Sequence, residues 1–343
     1  MSGCVRPIPE LAEPVSTAAG QSIAALPAVL DPAQLTKHLE FFSSSPWNWG
    51  ELRDVRVQTL KAHQNRCTVE ICLRTTGGLR TLIGKAYAQD RSDVYDAMEA
   101  IRRAGFGPDA EFSIPQPFAF LPALNLLIQE KVCGVRAKDV FLRGSERDCA
   151  DAAQRCALWL ARFQTRAPRA GPVLDLDRYF ASLEHWKRPA AAGNERLADK
   201  ARFLLERLKA VAPAPSGRPL CAGHASFCYS QVILALRRTV IYDWDGYDIA
   251  DPSRDVARFI VALSRAALRY LGSIHAMDHA AEIFLNTYLA GDRQEVQQRL
   301  PFFKAGTCIK LAKYEIPRPC TPERKVLIDA LLDEGFRILR QWR

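Results

Sequence analysis

Val240-Ile241-Tyr242-Asp243-Trp244-Asp245-Gly246, followed shortly by Ala250-Asp251-Pro252-Ser253-Arg254-Asp255-Val256-Ala257, is the stretch on which the fold turns. The apolar run Val240 to Tyr242 predicts a short buried strand that ends in two carboxylates. A carboxylate at the end of a buried strand is costly without a partner, so two together point to a cation. Asp243 and Asp245 offer hard oxygen ligands of the kind Mg²⁺ takes alongside water and phosphate. The competing reading is a capped turn, because Asp245-Gly246-Tyr247-Asp248 is rich in turn formers. On these residues alone both readings stand.

Working outward, the loop His224-Ala225-Ser226-Phe227-Cys228-Tyr229-Ser230-Gln231 leads into Val232-Ile233-Leu234, crosses Arg237-Arg238 and returns through Val240. This predicts a polar β-island, with strands over Leu220 to Phe227, Val232 to Leu236 and Thr239 to Tyr242. Helices are expected on both sides of it. Before it lie Ser145 to Thr165, Asp175 to Trp186 and Glu195 to Val211, then a turn at Ala212 to Gly217. After it lie Pro252 to Leu271, His275 to Leu289, Arg293 to Ala312 and Pro322 to Trp342. The first third differs in character. Strand-like runs occupy Val55 to Leu60, Cys67 to Arg74 and Leu79 to Tyr87, the last two separated by the hairpin turn Thr75-Thr76-Gly77-Gly78. A helix over Asp93 to Arg103 closes at Ala104-Gly105, and a strand over Leu124 to Val132 follows a proline-broken stretch.

Composition bounds the function. With 343 residues and 48% hydrophobic side chains the chain can build two lobes without disulfide staples. Forty-seven basic against 38 acidic residues leave a net charge of +9, but no block of like charge forms. The composition argues against a nucleic-acid groove and suits an anionic ligand such as a nucleotide. The ten cysteines lack the spacing of a zinc knuckle or redox pair and read as buried thiols of a reducing compartment. Residues 1–30 lack a charged region followed by an apolar core, and no run approaches the ~20 apolar residues of a membrane span. A cytoplasmic protein without a membrane partner is expected, with a mobile arm over residues 1–35 and order beginning at the capping pair Asp31-Pro32.

The chain resembles the aminoglycoside phosphotransferase and choline kinase family, whose order is a strand lysine, a helix glutamate, a His-x-Asp-x-x-x-x-Asn loop, an Ile-Asp-Trp/Phe-Asp/Glu strand end and an Asp-Pro-x-x-Asp-Val/Leu-Ala helix start. The resemblance runs over roughly residues 45 to 315 and is most specific in its second half. It implies an α+β, protein-kinase-like two-lobed fold: an N-lobe at 36–130 with a five-stranded antiparallel sheet and one helix, and a mainly helical C-lobe at 131–343. It further implies ATP and Mg²⁺ held between the lobes. In that frame Lys85 holds ATP phosphates with Glu99 as its counter-charge. Glu130, in Gln129-Glu130-Lys131-Val132, sits where a hinge presents backbone groups to adenine, and Asp243, Gln231 and Asp245 face the metal. Asp255 braces the loop that His224 supports. A nucleotide and a small-molecule hydroxyl acceptor are the implied partners. The net charge does not favour a cationic acceptor unless Asp245 and Asp248 make a local acidic patch.

The chain departs from the family pattern at the reacting position. Aligning Gln231 with the family's loop asparagine places Ser226 on the catalytic aspartate. A serine, neutral at pH 7, can orient an acceptor hydroxyl but cannot take its proton, and losing a positioned base costs ~10²- to 10⁴-fold. Ser230 stands at a second acidic position of one family variant, and the first hairpin, Lys61 to Cys67, contains no glycine to approach phosphate closely. The expected function is therefore an ATP/Mg²⁺-dependent phosphotransferase with weak activity. The alternative is an inactive pseudokinase acting as a nucleotide-binding or scaffold module with a protein partner. His275 and His279, four apart on an expected helix, read as a surface pair, and Cys221 and Cys228 beside His224 read as buried thiols.

Overall fold

The structure is a computed structural model and describes residues 23–184, 195–213, 220–291, 294–315 and 321–342. Its elements begin with α1 (Leu26–Leu30), α2 (Pro32–Leu39), β1 (Leu52–Ala62), β2 (Arg66–Thr75), β3 (Gly78–Tyr87) and α3 (Ser92–Ile101). Short strands follow: β4 (Phe112–Ser113), β5 (Pro117–Leu121), β6 (Leu126–Glu130) and β7 (Val135–Arg136). Next come α4 (Ala137–Arg143), α5 (Glu146–Arg166), α6 (Leu176–Glu184) and α7 (Glu195–Ala210). The polar island comprises β8 (Cys221–Gly223), β9 (Val232–Leu234), β10 (Thr239–Ile241) and β11 (Asp248–Ala250). The chain closes with α8 (Pro252–Leu271), α9 (Asp278–Leu289), α10 (Gln294–Glu315) and α11 (Pro322–Gln341). Of the expected elements, Trp186, Arg293 and the turn from Ala214 to Gly217 lie outside the described residues, as do residues 1–22 of the expected arm.

Two compact units result. One holds the described residues up to Glu99 together with Pro115–Lys131. Its antiparallel sheet has the order β1-β2-β3-β6-β5. The turn at Thr75 to Gly78 is fixed from inside: the Thr75 hydroxyl donates to the Trp49 and Gly78 carbonyls, and Gly78 takes φ +117°. Alternation along β2 and β3 turns Val69, Ile71, Leu82 and Ala86 to one face, where α1 and α2 bring Val29, Leu35 and Leu39. Each buried Val, Leu or Ile among them contributes about 1.5–3 kcal/mol. Order begins earlier than the Asp31-Pro32 cap: Ile23 and Val29 are already in this core. Asp31 does cap α2, accepting from the Ala33 and Gln34 amides at 2.8 and 3.3 Å. The fifth strand, β5, lies in the stretch read as proline-broken. Pro117 opens it at the edge of the sheet, where a missing N–H costs no ladder bond.

The second unit comprises Ala100–Ile114 and the described residues from Val132 onward. Its central helix, α5, opens with a capping box between Ser145 and Asp148. Trp159 of α5 stacks on Phe163 and Phe227 and donates its indole N–H to the Ser113 carbonyl. Phe259 of α8 stacks on Phe284 of α9 with ring centroids 4.0 Å apart. Against these helices lie a small sheet of order β4-β10-β9-β7 and the separate pair β11-β8. Arg155 of α5 clamps the β9–β10 hairpin by donating to Thr239 Oγ1 and to the Ala235 and Arg238 carbonyls.

Candidate active site

Two loops of the second unit carry the chemistry-bearing residues, and a buried aromatic ring anchors each. Phe227 follows Ser226 and packs among Trp159, Phe259 and Phe284. Trp244 follows Asp243, packs on Phe163 and on the His224 ring, and donates its indole N–H to the Ile241 carbonyl at 3.0 Å. Ala225 and Asp243 both adopt left-handed backbone, at φ +67° and +75°. For residues with a Cβ this costs roughly 1–2 kcal/mol each, and such strain clusters where a site must aim side chains. Gly246 lets the loops close up, since a Cβ there would meet Ala225 and the His224 carbonyl.

Four of the sequence-predicted residues are joined by hydrogen bonds. Gln231 Nε2 donates to Ser226 Oγ at 2.9 Å and to Asp243 Oδ2 at 3.3 Å. Ser226 Oγ lies 3.2 Å from His224 Nδ1, and His224 Nε2 lies 3.1 Å from the Tyr242 carbonyl. Asp245 lies on the turn that follows Asp243. Burial is the main influence on His224 and holds its imidazole below the ordinary value against the opposing pull of Asp255 and Asp243. The ring is therefore neutral at neutral pH.

Beneath the loops lies a buried charge cluster that sequence reasoning found only in part. Asp255, in the first turn of α8, accepts the His224 backbone N–H at 2.7 Å and so braces the loop. Asp251 caps α8 by accepting the Ser253 N–H and pairs with Arg299 at 2.7 Å. Arg254 makes a two-pronged pair with Asp248 and also reaches Asp255. This corrects the acidic patch expected of Asp245 and Asp248: Asp248 is buried and its carboxylate is neutralised by Arg254. Gly223 is required here because any Cβ would fall on the Arg254 guanidinium and the Asp248 carboxylate. The spacing of Gly223, Asp248 and Arg254 carries no local pattern that would reveal the trio.

In the first unit Lys85 stands on β3, opposite Thr68 and Leu127, and is 6% exposed. Strand alternation points it away from the face that buries Leu82 and Ala86. Glu99 is half-buried near the end of α3. Glu130, at the end of β6, donates its backbone N–H to the Gln116 carbonyl and accepts the Gln116 N–H on its carboxylate at 3.0 Å. The turn between β1 and β2 is closed by His63 N–H to the Arg66 carbonyl, and residues 61–65 are exposed.

Asp243 and Gln231 are the residues of the second unit that could hold a magnesium ion. One carboxylate oxygen of Asp243 and the amide of Gln231 lie together, and Mg²⁺ is commonly held by one or two carboxylates with water and phosphate completing its shell. In the structure Gln231 turns Nε2 toward Asp243 and Oε1 toward Cys228 Sγ at 3.4 Å; a metal beside Asp243 would take the oxygen with the amide turned over. Other readings fall away. His275 lies outside α9 and pairs with Asp278, while His279 lies near Glu146, so the two do not share a helix face. Burial pushes the Cys221 thiol up to about 12, which leaves it protonated. A cavity of about 650 Å³ is walled by residues including Asp139, Arg143, Asp148, Asp151 and Leu236, and none of the site residues lines it.

No known family's sequence profile and no curated protein matches this chain. Solved structures do. A choline/ethanolamine kinase family protein from Mesorhizobium loti is 14% identical with a TM-score of 0.55, over 89% of this chain and 94% of that one. A choline kinase from Cryptosporidium parvum is 10% identical with a TM-score of 0.56, over 90% and 95%. A putative aminoglycoside phosphotransferase from Ralstonia eutropha is 15% identical with a TM-score of 0.57, over 90% and 97%. The chain has the fold of the aminoglycoside phosphotransferases and choline kinases, as its motif order anticipates.

Proposed function

We propose that the chain is an ATP- and Mg²⁺-dependent phosphotransferase of the small-molecule kinase type, acting on a hydroxyl acceptor. The observation that carries this is the hydrogen-bonded set Ser226–Gln231–Asp243, on two aromatic-anchored loops of a fold shared with such kinases. Similar structures include an ADP-bound aminoglycoside phosphotransferase and a streptomycin–ATP ternary complex of another. Lys85 would hold phosphate with Glu99 as its counter-charge, and the hinge strand ending at Glu130 would face the base. Since the Glu130 N–H already serves Gln116, its contribution would come from its carbonyl or from the residues that follow. Asp243, Gln231 and Asp245 would hold the metal, which when bound neutralises phosphate charge. Ser226 would orient the acceptor. Eight described cysteines are free thiols, in keeping with a reducing, cytoplasmic setting. No described helix is long and apolar enough to cross a membrane.

Ser226 itself favours a second reading, a pseudokinase that binds nucleotide and a protein partner without transferring phosphate. Release of phosphate from Mg·ATP by the full chain separates the two. The phosphotransferase turns over slowly and stops with Lys85→Ala or Asp243→Asn; a chain that binds Mg·ATP without turnover is the pseudokinase.

A further inference from the structure

Building on the phosphotransferase reading, we propose that Arg258 and Lys310, on the seam between α8 and α10, bind an anionic group carried by the acceptor, so that the substrate is a hydroxylated carboxylate or phosphate ester. The seam holds more positive charge than its own carboxylates match. Arg254 and Arg258 lie four apart on α8 and so share a face, and α10 packs along that helix. Lys310 of α10 lies within electrostatic range of both guanidiniums and of Asp248 and Asp255. The acids of the seam are already engaged. Both oxygens of Asp248 accept from Arg254, Asp255 holds the His224 N–H and also meets Arg254, and Asp251 takes the Ser253 N–H and Arg299. Four cations, Arg254, Arg258, Arg299 and Lys310, stand against three carboxylates, Asp248, Asp251 and Asp255, which leaves one positive charge in excess.

The excess falls on Arg258 and Lys310. Among the described residues, Nε and Nη1 of Arg258 are buried without a hydrogen-bond partner, and its guanidinium lies over the Tyr314 ring at 5.6 Å. Lys310 forms no ion pair with a described carboxylate. Burial and the guanidiniums lower its pKa to about 8, so the ammonium is still charged at pH 7. Hiding such charge unpaired is costly, and a cost of this kind is kept where function requires it. Both side chains stay partly exposed, within reach of an incoming anion, and a guanidinium beside an ammonium suits carboxylate or phosphate. The seam is also tied to the loop that bears Ser226. Arg254 reaches Asp255, which holds that loop through the His224 N–H, and a Cβ on Gly223 would strike the Arg254 guanidinium.

The test is calorimetric titration of the full chain, at fixed ionic strength, with glycerate, glycerol 3-phosphate, glycerol and choline. Saturable binding of at least one of the two anions is expected, and the tighter of them tells a carboxylate from a phosphate acceptor. That binding should weaken at least about tenfold with Lys310→Met and with Arg258→Gln. Lys325→Met, at the exposed start of α11, removes the same charge and should leave it unchanged. Thermal midpoints of the variants separate lost binding from lost fold, and Lys310→Met is expected to melt no lower than wild type. Choline or glycerol bound in place of the anions, none of the four bound, an anion indifferent to both seam substitutions, or an equal loss with Lys325→Met each overturns the proposal. Mg·ATP binding that depends on Lys85 in a chain that ignores both anions defeats the anion seam alone. Anion binding by a chain that takes no Mg·ATP defeats the phosphotransferase reading, and the acceptor assigned here falls with it.

Discussion

Ser226 puts a hydroxyl, held between Gln231 and His224, at the position where the family resemblance expects a carboxylate. Restoring the acid is the direct measure of what that exchange costs. Ser226→Asp is expected to raise Mg·ATP turnover by at least about tenfold, toward the ~10²- to 10⁴-fold that a positioned base contributes; unchanged turnover would mean the proton is not limiting. Gly223 makes a second residue-scale claim. Its missing side chain leaves room for Arg254 and Asp248 to pair, and breaking a buried pair costs about 3–5 kcal/mol. Gly223→Ala should therefore lower the thermal midpoint by at least roughly 6 °C, or abolish soluble protein; a shift within about 2 °C would contradict the packing described. Residues of this kind divide by legibility. Asp243, Gln231, His224 and Ser226 stand in a recognisable order along the chain, and the structure joins them. Gly223, Asp248 and Arg254 meet only through the pairing of β8 with β11 and the start of α8, so no local spacing discloses them.

At the scale of elements, α8 and α10 bring a partly buried ammonium beside two guanidiniums. Lys310 of α10 lies near Arg258 and Arg254 of α8, and burial first, then those guanidiniums, pull its ammonium down to about 8. Asp255 and Asp248 oppose that pull only in part. Between about pH 8 and the ordinary value near 10.4 the unfolded chain holds a proton the folded chain has released, so stability from this group rises with pH across that window. Below it, both states are charged and the folded one bears the burial cost. Lys310→Met should accordingly stabilise the protein by on the order of 1–3 kcal/mol at pH 7 and by less at pH 10. Thermal midpoints at the two pH values check this; a variant less stable than wild type at pH 7 would show that Lys310 is favourably paired. Elements with strong periodicity or a two-residue turn, such as β2–β3, α5 and α8, could be read in advance. The ones overlooked are α1, α4, β4, β5, β7 and β11, of two to seven residues, too short for a period to declare itself. In β5 the prolines that read as breakers mark a sheet edge instead.

For the molecule as a whole, the same fold is kept at 10–15% identity to kinases from distant sources. The sequence reading of the fold rests on the order of a few polar residues and the apolar pattern around them, so the fold is legible although no family profile matches. With Asp248 neutralised by Arg254, that residue adds nothing to a local acidic patch that would offset the net charge of +9 in favour of a cationic acceptor. A ligand that binds only the folded state stabilises it by about 2.7 kcal/mol at a hundredfold excess over Kd, so nucleotide occupancy has a global readout. Titration calorimetry of the full chain with Mg·ATP is the most direct test of the central claim. The account predicts saturable binding that weakens at least about tenfold with Lys85→Ala and with Asp243→Asn, through lost phosphate and metal contacts. No heat of binding, or an affinity indifferent to both substitutions, would contradict it.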